Sequence, residues 1–73
     1  MAMSLTLEIE LEFEAAGRWI AEIPALPGCM AYGETPEQAR AKVEALALRV
    51  LADEIEHGER SADLSLSFAQ RAA

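Results

Sequence analysis

Leu5-Thr6-Leu7-Glu8-Ile9-Glu10-Leu11-Glu12-Phe13-Glu14 alternates apolar and polar residues without a break. A period of two is the period of a pleated strand. It places Leu5, Leu7, Ile9, Leu11 and Phe13 on one face and Thr6 with the four glutamates on the other. Glutamate is a poor strand former, so burial of the apolar face must be what fixes this strand. Ala15-Ala16-Gly17 supplies a turn in which Gly17 is free to take positive φ. Trp19, Ala21 and Ile23 then form a second alternating set, offset from Glu22. The two runs read as a β-hairpin with one apolar and one acidic face.

Working outward, Pro24-Ala25-Leu26-Pro27-Gly28 ends the second strand, since proline has no amide hydrogen to give the ladder. The spacing predicts a short third strand over 29–32, stopped by Gly33. Thr35 at N-cap, Pro36 at N1, Glu37 in the first turn and Gln38 at N3 mark a helix start with a capping box. Ala39, Val43, Leu46, Ala47, Val50 and Leu51 follow as one apolar stripe. Arg49 and Asp53 stand four apart as a surface pair. His57 falls in the last turn, with Gly58 placed for a left-handed cap. The helix is read as 36–57. Leu64, Leu66 and Phe68 alternate with Ser65 and Ser67 as a fourth strand, followed by a short polar tail.

The order β-β-β-α-β defines an α+β fold. Three antiparallel strands form a meander, and the helix returns the chain so that the fourth strand runs parallel to the first and third. The pattern alone leaves open which of those two it joins. One helix covers one face of a four-stranded mixed sheet, and the face with the glutamate row has no intramolecular cover. The 73 residues read as a single domain over 1–73, with no internal repeat or linker.

Composition narrows the function classes. Six Lys+Arg against 13 Asp+Glu give a net charge of −7, with 52% apolar residues. A negative surface opposes direct nucleic-acid binding, which draws on cations neutralising phosphates, and favours a basic protein partner. The first residues have no basic region followed by an apolar run, and no stretch approaches a membrane span. A lone cysteine, Cys29, cannot close an intrachain disulfide. The expectation is a cytoplasmic protein with no membrane partner. So short a chain buries little surface, and homo-oligomerisation, as a dimer or tetramer, is the expected remedy.

No catalytic, metal or cofactor site is expected. Cys29 and His57 lie far apart and lack the clustering of zinc ligands. Cys29 reads as a small apolar strand residue, and His57 as a helix-end cation suited to the dipole. No Ser-His-Asp set or phosphate-binding glycine loop is present. Glu8, Glu10, Glu12 and Glu14 could suggest a two-metal nuclease, but such sites draw carboxylates from several elements. A solvated or protein-binding face is the simpler reading. Ile20, Met30 and Tyr32 fall on the outward phase of their strands, and Leu48 lies almost opposite the helix stripe. With Glu8, Glu10 and Glu12 they make the candidate partner or oligomer surface.

Trp19-Ile20-Ala21-Glu22-Ile23-Pro24-Ala25-Leu26-Pro27-Gly28-Cys29, followed by Tyr32-Gly33-Glu34-Thr35-Pro36-Glu37-Gln38-Ala39, resembles the HicB antitoxin family. Members of that family carry a P-x-L-P-G-C loop and then a G-[DE]-T-x-E-E-A helix start. Gln38 departs from the commoner second Glu and leaves the capping box intact. The resemblance implies a partial ribonuclease-H-like fold with the fourth strand beside the first. It also implies an antitoxin role, in which the chain binds and blocks a small, basic, mRNA-cleaving toxin. Family members that repress their operon add a C-terminal DNA-binding domain. The sequence reaches only a few residues past its last predicted strand, so the expectation is a short form without DNA binding. The rival expectation is an orphan domain that only self-associates.

Overall fold

The computed structural model describes residues 3–61 and 63–72. β1 (Met3–Glu14), β2 (Arg18–Glu22), β3 (Met30–Gly33), α1 (Pro36–Glu56) and β4 (Leu64–Ala72) follow in that order. They form a four-stranded sheet of order β3-β2-β1-β4. β1–β2 and β2–β3 are antiparallel, and β4 runs parallel to β1. The choice the alternation left open thus falls on the first strand.

Burial follows the alternation of β1. Leu7, Ile9 and Leu11 are buried, and with Ala21, Ile23 and Cys29 they meet Ala39, Val43, Ala47 and Leu51 of the helix. Burial lapses toward both ends of that face: Leu5 is half-buried and Met3 and Phe13 are exposed, of which Phe13 is the instructive case. It stacks edge-on against Trp19 at 5.3 Å between ring centroids yet remains 57% exposed. Phe13 is paired with Trp19, and Trp19 with Gly33, just before the helix begins. The helix runs away from that end of the sheet, so Phe13 lies outside the covered area.

Thr35 and Gly58 bound the helix as its sequence dictates, while two of its side-chain contacts differ from the expected ones. Thr35 Oγ1 accepts from the Gln38 N–H at 3.0 Å. The return bond differs from a capping box: Gln38 Oε1 accepts from the Glu34 N–H, one residue before the N-cap, at 3.0 Å. At the other end Gly58 has φ 73°, Gly58 N–H donates to Ile55 O and Glu59 N–H to Glu54 O. That pair of bonds is a Schellman cap, which a residue with a Cβ would strain. Asp53 pairs with His57 (3.4 Å) and not with Arg49.

Gly33 has a more exacting role than stopping a strand. A Cβ there would lie 2.5 Å from the Ala39 backbone nitrogen, so only glycine lets the helix start sit this close to β3. The 24–28 connection is likewise more ordered than its prolines suggest. Ile23 N–H donates to Cys29 O, and Leu26 is tucked into the core. The last strand runs to Ala72, so what read as a polar tail after Phe68 is strand paired to β1. The helix rests mainly on β3 and β2, and the molecule is elongated, 44 × 20 × 17 Å. No helix among the described residues is long and apolar enough to cross a membrane.

Candidate functional site

The uncovered face is assembled from alternate residues of all four strands. β1 presents Thr6, Glu8, Glu10, Glu12 and Glu14, and the ladders fix their neighbours. Glu14 is opposite Arg18, Glu12 opposite Ile20 and Glu10 opposite Glu22. Ile20 is opposite Tyr32 and Glu22 opposite Met30. On the β4 side Thr6 meets Ser67, Glu8 meets Ala69 and Glu10 meets Arg71. The surface is therefore a field of carboxylates with an apolar strip, Ile20-Met30-Tyr32, along one flank.

Its cations sit at the margins. Arg18 Nε donates to Glu14 Oε1 at 2.8 Å, and its guanidinium lies 3.9 Å from the Tyr32 ring centroid. Arg71 Nη1 is 3.8 Å from Glu8 Oε1. These groups are solvent-exposed, and such contacts contribute at most about 1 kcal/mol each. Among the described residues no cation comes within ion-pair distance of Glu10, Glu12 or Glu22. Successive glutamates on one face of a strand are about 7 Å apart, where two charges in water repel by about 0.6 kcal/mol before screening. Glu10 and Glu22, directly opposite across the ladder, are closer still, and like charges so placed are destabilising. The fold thus holds a patch in which carboxylates outnumber the cations beside them, and further positive charge would relieve it.

Beside this patch lies an open depression of about 290 Å³, lined by Thr6, Glu8, Glu10, Pro24, Ala25 and Arg71. The 24–28 loop forms its wall, because Pro24 and Ala25 continue from β2 beyond Glu22. Met30 and Tyr32 are each 40% exposed, while Ile20 is half-buried between its neighbours. Together they give the acidic field a flank of contactable apolar area.

Six of the seven candidate surface residues come together here: Glu8, Glu10, Glu12, Ile20, Met30 and Tyr32. Leu48 does not join them. It is 50% exposed on the helix, on the far side of the sheet, and cannot share a contact with the glutamate row. The alternation alone did not single out Glu22, Arg18 or Arg71 as members of the site. Their outward phase was legible, but their pairing depends on ladder register, which the hairpin turn and the parallel crossover set.

Cys29 is buried on the helix side of the sheet, its Sγ 3.8 Å from the Val43 carbonyl oxygen, and burial pushes its thiol pKa up. Among the described residues no group of three His, Cys, Asp or Glu side chains converges as metal ligands. No protein-family model, curated protein or solved structure matches the chain.

Proposed function

We propose that this chain is a non-catalytic protein-binding module of the antitoxin type, whose open sheet face docks a small basic protein. The observation that carries this reading is the cluster of Glu10, Glu12 and Glu22. These carboxylates are held together by ladder register beside exposed Met30 and Tyr32, and among the described residues none of the three is within ion-pair distance of a cation, Arg71 opposite Glu10 included. A partner with Lys or Arg around an apolar contact relieves the repulsion and covers the strip in one step. Complementary charge of this kind speeds encounter and fixes orientation, and the apolar strip supplies contact area once the two are docked.

The paired motifs around Pro24–Cys29 and Gly33–Ala39 extend the proposal to the partner's activity, a small mRNA-cleaving toxin blocked by occlusion in the cytoplasm. Co-expression with each small basic protein encoded beside its gene is the test. One of them is expected to co-elute with this chain and to lose its toxicity to the host. Absence of a complex with every such neighbour removes the toxin-neutralising role.

A further inference from the structure

We infer that two copies of this chain join along the free edges of their β4 strands, antiparallel about a two-fold axis, merging two four-stranded sheets into one. This pairing does not use the Glu10-Glu12-Glu22 field, so it stands or falls separately from the basic-partner reading.

The backbone makes the edge self-complementary. In a parallel ladder the N–H and C=O of alternate residues point to opposite sides of the strand. Met3 N–H donates to Asp63 O at 3.0 Å in the register Met3↔Leu64. The same alternation turns Ser65, Ser67, Ala69 and Arg71 toward β1. It leaves the backbone groups of Leu64, Leu66, Phe68 and Gln70 aimed away from the sheet. If Phe68 sits on the two-fold, it faces its own copy and Leu66 faces Gln70. Every outward N–H then meets an outward C=O, over nearly the whole strand.

The two edges of the sheet differ in how they are protected. β3 is four residues long and confined between the proline-bounded loop and the helix cap. β4 is nine residues long, with no proline, glycine or lysine and Arg71 as its single charge. Natural edge strands avoid pairing by shortness, charge, proline or bulges, and β4 has none of these over 64–70. The helix leans toward β3 and β2, so Leu64, Leu66 and Phe68 remain half-exposed on the inner face. A second β4 would continue that apolar layer.

Charge selects a second copy as the occupant. Each chain carries −7, so acid-bearing surfaces repel one another, and β1, β2 and α1 all carry acids. β4 carries none. A basic foreign protein finds its complement on the glutamate face and no acidic group along this strand.

Light scattering across micromolar to millimolar concentrations is expected to show a species of twice the 7.9 kDa chain mass. Hydrogen exchange by NMR is expected to protect the Leu66, Phe68 and Gln70 amides at high concentration and release them on dilution. Gln70→Pro removes an outward N–H, and with it the bond that Arg40 Nη1 donates to Gln70 Oε1 at 2.8 Å, without removing an amide of the β1 ladder. Ser67→Lys with Ala69→Lys sets two lysine pairs face to face across the two-fold while leaving each exposed in the monomer. The double-lysine variant is expected to raise the dimer dissociation constant about tenfold at low salt, with an unchanged circular dichroism spectrum. If Gln70→Pro fails to fold, the double-lysine variant decides. A monomer at all concentrations overturns the proposal. So does a dimer whose three amides exchange freely, or a folded double-lysine variant that dimerises like the wild type.

Discussion

The two faces of this sheet come from the same alternating strands and are stabilised by opposite means. On the helix side, Leu7, Ile9, Leu11, Ala21, Ile23 and Cys29 are removed from water against Ala39, Val43, Ala47 and Leu51. On the other side, Glu8, Glu10, Glu12 and Glu22 repel one another in solvent and are held together only because the covered face is. One face supplies the stability and the other spends part of it on placing charge. In a small domain whose whole stability is about 4–11 kcal/mol, that division is testable residue by residue.

The largest effect belongs on the covered face. Ile9→Ala, at a fully buried position, should cost about 2–5 kcal/mol in urea unfolding. Tyr32→Ala on the open face should cost less than about 1 kcal/mol. Equal losses would erase the distinction between the faces. Next is the contact that joins sheet to helix: Gly33→Ala must push the Ala39 backbone away and should cost about 1–3 kcal/mol. An unchanged unfolding midpoint would show that the helix start can shift freely.

A smaller effect lies in the Cys29 thiol. Burial favours its neutral form, so the folded protein holds this proton more tightly than the unfolded chain does. Its contribution to stability is complete below the ordinary thiol range and fades as pH rises through the raised folded value. Cys29→Ser should flatten that alkaline decline, followed as unfolding midpoint against pH. The smallest effect is expected on the open face: Glu10→Gln should change stability by no more than a few tenths of a kcal/mol, because it relieves the repulsion from Glu22 and also gives up the attraction of Arg71 on the other side. A loss of more than about 1 kcal/mol would mean that Glu10 makes a stabilising contact of its own.

Much of the architecture could be read from particular residues. Leu7 to Leu11 gave the strand period, and Thr35-Pro36-Glu37-Gln38 and Gly58 bracketed the helix, because these signals act through local backbone chemistry. The neighbour of the last strand could not be read from spacing, since it depends on which crossover packs best; only the family resemblance pointed to β1. Phe13 shows a second limit: its phase was right, but how far the helix reaches along a face is a tertiary matter. Leu26 was hidden inside a turn-rich stretch, where no periodicity marks a buried side chain. On the open face the glutamate row was plain, whereas the opposition of Glu10 and Glu22 needed the ladder register. Leu48 shares with that face only its exposure, since it lies on the helix on the far side of the sheet.

The most direct test of the open face as the working surface is the association rate of the co-eluting basic partner. It should be measured with the wild type and with Glu8→Lys, Glu10→Lys and Glu12→Lys combined, at low and high salt. The expected result is a rate at least about tenfold lower at low salt, a gap that narrows as salt screens the field, and an unfolding midpoint that does not fall. An association rate unchanged by the three reversals would place the partner elsewhere on the molecule and contradict the central claim.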